Sequence, residues 1–263
     1  MTELTLTPLG TNGFIPTYGR QTQCYLVRRE GRPFVLDAGT GLGRLLEPPL
    51  AGALAGLDRL EILLTHYHLD HTVGLSYLTA VAPGLPVRIW APAPPLVDGD
   101  PSAVSRLIAP PLFPLRLAEH PTEVEVVPYS GDTLEVGGAR LRLRRQRHAG
   151  GSVGVVIDDR LAYLTDCEVD DGSAAFVRGV ELLLHEMWVT DAEAKDGAQR
   201  RGHTTVEEVA ALADAAAVGA LMPMHHHPTR SPAALEGLLT QLATRTSVSI
   251  VAPVEGREHR LLA

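Results

Sequence analysis

The sequence predicts an α/β sandwich, with two sheets packed face to face and helices on their outer sides. It has two similar halves that together make one domain over residues 1–263. Three observations carry this reading. Short strand-like runs fill the first third and lead into a strand-helix-strand pattern. Strands with period-two alternation return between residues 122 and 165, and strand and helix then alternate toward the end. No short repeat, low-complexity tract or charge block marks a linker between the halves.

Taken in order, LTLTPLG is the first strand. QCYLVRREGRPFVLDAG follows as a hairpin with EGRP at its turn. GLGRLLEPPLAGALAGL places Leu at helical spacings but is interrupted by Pro-Pro and several glycines, so an irregular helix is expected there. LDRLEILLTH is a buried strand, and VGLSYLTAVAPGLPVRIWAP a helix ended by Pro83 and Gly84, then a strand. Residues 92–121 are proline-rich and irregular, and read as a covered loop, a lid or a subunit contact. Five strands come next: EVEVVPY, DTLEV, ARLRLRRQR, SVGVVID and LAYLT. Arg140, Arg142 and Arg144 share one face of the third, as a solvated strand face would place them. The final third gives VELLLHEMW as a strand and TTVEEVAALADAAA as a helix capped by Thr204 or Thr205. GALMPMH is then a strand, and SPAALEGLLTQLA a helix with Pro232 in its first turn.

Bulk properties narrow the function classes. With 263 residues, 45% of them hydrophobic, the chain is long enough for a substantial core. A formal charge of −8 and a pI near 5.7 give no long-range attraction for nucleic acid or anionic membranes. The two cysteines, Cys24 and Cys167, form no CxxC pair, which suits a reducing compartment, and a cytoplasmic protein is expected. The amino-terminal MTELTLTPLG lacks the pattern of a signal peptide, and no apolar run approaches the roughly 18 residues of a membrane span.

The chemistry concentrates in LLTHYHLDHTVG. His66 and His68 lie two apart just beyond a strand, so in extended backbone they project to the same side and can grip one cation. Asp70 and His71, after the chain turns, are available for a second. A pair of imidazoles beside a carboxylate-imidazole pair is what a two-metal centre with ions about 3.5–4 Å apart requires. Further ligands are on offer at strand ends: His148 before AGGS, Asp166 after LAYLT and His225 after GALMPM.

The motif H-x-H-x-D-H after a strand resembles that of the metallo-β-lactamase superfamily. So do an earlier Asp37 in VLDAG and then His148, Asp166 and His225 in that order, and the resemblance covers nearly the whole chain. It implies a four-layer αβ/βα sandwich with a dinuclear site where the two sheets meet. By that resemblance His66, His68 and His148 hold one metal, Asp70, His71 and His225 the other, and Asp166 bridges them, while Asp37 supports the site through hydrogen bonds. His225 is chosen from the triplet because it directly follows the apolar strand, whereas His226 and His227 precede Pro228 and are expected to turn outward or toward substrate. Cys167 is read as a buried thiol beside the bridging aspartate.

Outer residues point to a branch. ELLLHEMW, with His185 and Glu186, GHTTVEEVAALA, with His203, and the early LGTNG look like segments of the ribonuclease Z and related phosphodiesterase branch. The resemblance implies that His203 lies beside the metals, oriented by Glu186, while His185 packs. A phosphodiester needs a proton donor for its alkoxide leaving group, and a neighbouring carboxylate would keep His203 protonated for that role. Asp70 could take a proton from the attacking water. Ribonuclease Z carries a long arm between the third histidine and the bridging aspartate to grasp transfer RNA; here only 17 residues separate His148 from Asp166. Together with the acidic chain, this disfavours transfer RNA and favours a small phosphodiester, cyclic phosphodiesters included.

The expectation is therefore a dinuclear metal-dependent hydrolase, a phosphodiesterase with catalytic Asp70, His203 and Glu186. Two divalent metal ions are expected as cofactors, Zn2+ foremost, with Mn2+ or Fe also accepted by such ligands. The alternatives are a carboxyl-ester, lactone or thioester hydrolase on the same scaffold, or a metal-dependent binding protein without catalysis. No membrane partner is expected. A homodimer is suggested by the resemblance and by the apolar loop over residues 107–117.

Overall fold

The structure is a computed structural model and describes residues 2–48, 50–195, 200 and 202–261. The strands in chain order begin with β1 (Leu4–Gly10), β2 (Cys24–Arg29), β3 (Arg32–Leu36), β4 (Leu60–Leu63), β5 (Val87–Pro92) and β6 (Val124–Tyr129). There follow β7 (Thr133–Val136), β8 (Ala139–Gln146), β9 (Ser152–Ile157), β10 (Leu161–Leu164), β11 (Leu182–Glu186), β12 (Ala220–Met224), β13 (Ser249–Ile250) and β14 (His259–Leu261). The helices are α1 (Leu69–Thr72), α2 (Leu78–Val81), α3 (Ser102–Leu107), α4 (Ser173–Phe176), α5 (Asp191–Ala194), α6 (Val206–Ala216) and α7 (Pro232–Ala243).

Among the described residues the strands form two seven-stranded sheets, ordered β14-β1-β2-β3-β4-β5-β6 and β13-β12-β11-β10-β9-β8-β7. Each is mixed. In the first, β3, β4, β5 and β6 run parallel, and in the second β10, β11, β12 and β13 do. Period-two alternation divides the apolar side chains between layers. Leu4, Leu6, Tyr25, Val27, Phe34 and Leu36 of the first sheet meet Val153, Val155, Leu161, Tyr163, Leu184 and Met222 of the second in a central core. Their neighbours Cys24, Leu26, Val35 and Ile62 pack outward against Leu42, Leu75 and Leu78. On the other side Val156, Ala162, Leu183 and Leu221 pack against Val209, Leu212, Ala213 and Leu242 of α6 and α7. The result is the expected four-layer αβ/βα sandwich, the metallo-β-lactamase fold.

Local signals explain most elements. The β2–β3 hairpin turns at Glu30 and Gly31, both with positive φ, 49° and 77°, as a two-residue turn between twisted strands requires. Thr205, not Thr204, caps α6, its Oγ1 accepting the Glu208 N–H at 3.2 Å while Glu208 Oε2 accepts the Thr205 N–H at 3.0 Å. Ser231 caps α7, and Pro232 occupies its first turn. The helix expected after the histidine cluster is broken instead into a 3-10 segment, Val73–Tyr77, and α2. The Gly74 N–H donates to Ala38 O at 2.7 Å, so the first turn is tied to the neighbouring loop instead of propagating. Residues 92–121 contain α3 and a 3-10 turn, Leu117–Glu119, with Leu112 and Leu115 exposed. The Arg140–Arg144 face is partly exposed and pairs with Asp159 and Asp170. No helix among the described residues is long and apolar enough to cross a membrane.

Candidate metal centre

The parallel strands of both sheets direct their C-terminal ends at one edge of the sandwich, and the polar side chains collect there. Asp37 follows β3, His66 and His68 follow β4, Asp166 follows β10, Glu186 ends β11 and His225 follows β12. Asp37, Asp166 and His225 adopt left-handed backbone, with φ of 55°, 48° and 51°. Each strand thus breaks sharply where its functional side chain must leave the pleat.

Two clusters result. One atom each from His66, His68, His148 and Asp166 lie within 4.8 Å of one another, and so do atoms of Asp70, His71, Asp166 and His225. In the first, His148 Nε2 is 3.1 Å from His68 Nδ1 and 3.4 Å from Asp166 Oδ2, which is 3.8 Å from His66 Nε2. In the second, Asp166 Oδ1 is 3.0 Å from both His71 Nε2 and His225 Nε2, and Asp70 Oδ2 is 3.3 Å from His225 Nε2. Asp166 therefore offers one oxygen to each cluster.

The donor set fits cations, because the imidazoles are held with a lone pair facing inward. His71 Nδ1 donates to Asp37 Oδ2 at 2.8 Å, His148 Nδ1 to Gly202 O at 3.1 Å, and His66 Nδ1 lies 3.1 Å from Thr65 Oγ1. Each leaves Nε2 for the cluster, and the Nε2 atoms of His66 and His71 are buried without a hydrogen-bond partner among the described residues. An orphaned buried acceptor is costly unless something binds it. Asp37 is itself fixed by the Thr65 N–H at 2.7 Å and the Tyr163 hydroxyl at 2.8 Å. Burial pushes His66 well below the usual imidazole range. Burial also opposes charge on His71, but the Asp166, Asp70 and Asp37 carboxylates outweigh it and raise His71 well above that range. For Asp166 burial is likewise outweighed, here by His225 and His71, which hold its carboxyl well below the carboxylate range. So dense a set of carboxylates attracts positive charge, as protons or as metal.

Beside the clusters, His203 Nδ1 donates to Glu186 Oε2 at 2.7 Å, and the buried Glu186 also accepts the Cys167 N–H. Burial alone would lower the His203 imidazole, but the Glu186 carboxylate outweighs it, and His203 is raised to about 9. Its ring stacks on Trp188, centroids 4.5 Å apart at 21°, and lies 5.5 Å from His225. His203, Trp188, Phe14, Ile15 and Leu69 line a cleft of about 550 Å³ together with His68, Asp70, His148, Asp166 and His225. All the residues singled out in the sequence for this site thus come together at one edge.

Others sit differently. His185 is buried away from the cleft, with Nδ1 on Glu186 O at 2.9 Å and Nε2 3.8 Å from the buried Cys167 Sγ. His226, expected to turn outward or toward substrate, is instead fully buried. Its N–H donates to Thr11 O at 3.0 Å and its carbonyl accepts the Gly13 N–H at 3.0 Å, pinning the amino-terminal loop against β12. Only His227 of that pair reaches the rim, its ring 4.5 Å from Trp188. Thr65, Tyr163, Trp188 and Phe14 went unread in the sequence. Thr65 and Trp188 lie just beyond β4 and β11 and Tyr163 lies within β10, so closeness to a strand end is the one signal for them, whereas Phe14, four residues past β1, carries none. Gly13 admits the His225 ring, since a Cβ there would lie 2.4 Å from it.

Comparison with known proteins agrees with this geometry. Residues 32–226 match the family described as Beta-lactamase superfamily domain. A ribonuclease Z of Bradyrhizobium sp. (strain ORS 278) is 29% identical over 273 residues, covering 82% of this chain and 87% of that protein. The metallo-beta-lactamase fold protein YhfI from Bacillus subtilis superposes with a TM-score of 0.77 at 19% identity, covering 98% of this chain and 99% of that one. A diphosphatase from the PhnP family gives a TM-score of 0.69 at 17% identity, covering 97% of each chain. Relatives named ribonuclease Z lend no support to the expectation that transfer RNA is disfavoured. With the family matched over most of its length and its histidines and aspartates gathered in two clusters, the chain belongs to the metallo-β-lactamase superfamily, as a ribonuclease Z-like metal-dependent hydrolase.

Proposed function

We propose that the protein hydrolyses a small phosphodiester with two divalent cations, Zn2+ foremost. His66, His68 and His148 would hold one and Asp70, His71 and His225 the other, with Asp166 between them. Nitrogen and oxygen donors without thiolate suit zinc and accept manganese or iron. When bound, such a pair neutralises phosphoryl oxygens and activates water.

The observation that carries the reading is the His203–Glu186 pair at 2.7 Å, set against the ligand clusters and open to the same cleft. A phosphodiester releases an alkoxide, which needs a proton, and an imidazolium held by a buried carboxylate can supply it. Glu186 fixes which nitrogen of His203 is engaged and so presents Nε2 for donation. Asp70 would accept a proton from the attacking water, a role supported by the steadying of its Oδ2 by the Phe14 N–H at 2.7 Å.

The chain between His148 and Asp166 supports a small substrate. After His148, residues 149–165 are taken up by a turn, β9, a second turn and β10, leaving no extension there to grip a folded RNA. The two cysteines, both buried and unpaired, suit the reducing cytoplasm. The exposed Leu112 and Leu115 favour a homodimer, which sedimentation would measure.

Hydrolysis of bis(p-nitrophenyl) phosphate by protein of measured metal content tests the reading, alongside a p-nitrophenyl carboxyl ester, a lactone and a transfer-RNA precursor. Phosphodiester turnover lost on chelation is expected. His203→Ala is expected to abolish turnover of an added alkoxide-releasing diester, such as a 2′,3′-cyclic nucleotide, while sparing part of that of the p-nitrophenyl diester, whose phenolate leaves without a proton. Ester or lactone turnover alone, indifferent to that substitution, would replace this reading with a carboxyl-ester or lactone hydrolase, and cleavage of the RNA alone would replace the small substrate.

A further inference from the structure

We propose that the rim formed by Phe14, Ile15, Leu69 and Trp188 is a subsite for a flat aromatic group, so that the ester processed carries an aryl group or a nucleobase next to its phosphate. This rests on the phosphodiesterase reading and adds the organic half of the substrate to it.

The polar clusters account for only the floor of the cleft. A volume of about 550 Å³ far exceeds what a phosphate and its water occupy, and the remaining lining is largely apolar. Apolar side chains are not left facing solvent there by accident of the core. Phe14 is 68% exposed, Leu69 65% and Ile15 44%, and Leu69 stands between the ligand residues His68 and Asp70. A rim of this kind beside a charged floor binds a ligand with an ionic end and an apolar body.

Phe14 shows how the ring is held out. Its backbone is left-handed, φ 65°, which is uncommon for a bulky side chain and persists where surrounding bonds enforce it. Those bonds are present on both sides. The Phe14 N–H is bonded to Asp70 Oδ2, the Gly13 N–H is held by His226 O at 3.0 Å, and the Ile15 N–H by Gly13 O at 2.8 Å. The loop is further fixed by the Asn12 side chain, which donates to Thr17 Oγ1 at 2.8 Å and accepts from Arg20 Nε at 2.6 Å. The phenyl ring is therefore presented to the cleft by the same hydrogen bond that steadies a ligand carboxylate. Trp188 lines the same cleft, its ring stacked on His203 and 4.5 Å from the His227 ring, and so walls the space that the Phe14 ring faces. Aromatic faces bind flat rings through stacking with little demand on their hydrogen-bonding edges.

Calorimetry on the zinc-loaded protein tests this without relying on turnover, using two pairs of monoesters as probes: phenyl phosphate against methyl phosphate, and adenosine 5′-phosphate against ribose 5-phosphate. The aromatic member of at least one pair is expected to bind about tenfold more tightly, the range of one stacking contact. Phe14→Leu should remove most of that preference and Phe14→Tyr restore it, which separates a planar face from mere apolar bulk. Preference for phenyl alone points to an aryl ester, and preference for the nucleotide points to a base. Equal affinity within both pairs, or a preference indifferent to Phe14→Leu, overturns the subsite. The phosphodiesterase reading fails separately, if bis(p-nitrophenyl) phosphate is not turned over while the aromatic preference stands.

Discussion

Asp37 lies outside both clusters, yet two histidines of those clusters depend on it. It accepts from His71 Nδ1 at 2.8 Å and binds Thr65, whose hydroxyl in turn meets His66 Nδ1 at 3.1 Å. Asp37→Asn keeps the shape and removes the charge that fixes both tautomers, so zinc affinity should fall about 10- to 100-fold, measured by competition with a chromogenic chelator. His203 gives a pH signature. Its folded value of about 9 lies above the unfolded imidazole, so the His203–Glu186 pair stabilises fully below about pH 6.5 and the contribution is lost as pH rises through 9. A donor role has the same sign: turnover should fall on the alkaline side. The Asp166 and Asp70 carboxylates add to the raised value, and bound cations would offset them, which moves the limb below 9. Glu186→Gln, which keeps a hydrogen-bond acceptor but no charge, should shift the limb further toward acid, read from kcat/KM against pH. An alkaline limb that stays in place in that variant would remove His203 as the donor.

At the scale of elements, what was legible depended on how local the cause was. The β2–β3 hairpin, the α6 capping box and the proline of α7 each arise from residues adjacent in sequence, and each was readable there. The clustering histidines and aspartates were readable for a related reason, since strand ends can be found from apolar runs and the polar residue just beyond is conspicuous. What escaped depends on distant partners. β13 is two residues long and exists only because β12 lies beside it, and β14 only by pairing with β1. The register of the final triplet turned on Thr11 and Gly13, more than two hundred residues away, which draw His226 inward. The cap on α6 also matters to the site, because it follows His203 and Thr204 directly, and the Thr204 hydroxyl is bonded to Cys167 O. Thr205→Ala removes the cap and should cost about 1 kcal/mol. For a chain of this size that is a fall of roughly 2–4 °C in Tm by scanning calorimetry. A stability loss confined to α6, with the His203 limb unmoved, is expected if the helix only supports the loop.

For the whole molecule the arrangement of the two clusters has a thermodynamic consequence. His66, His68, Asp70 and His71 come from the edge of the first sheet, whereas His148, Asp166 and His225 come from the second, and each cluster draws on both. The sheets are already joined by a continuous apolar core, so cations are not needed to bring them together. At their shared edge, however, the buried carboxylates and imidazoles satisfy one another only in part, with His66 Nε2 and His71 Nε2 close to Asp166 but without a hydrogen-bond partner among the described residues. Cation binding would answer that deficit and add stability by mass action, about 2.7 kcal/mol for one site at a hundredfold excess over Kd. Chelated protein should therefore remain folded but melt several degrees lower than the zinc-loaded form, and zinc should restore the difference. Because each cluster spans both sheets, amide hydrogen exchange should slow on zinc addition at residues 64–72 and at residues 165–167 and 224–227 together. Protection confined to one side would mean that a cation is held by one sheet alone, and the shared role of Asp166 would then fail.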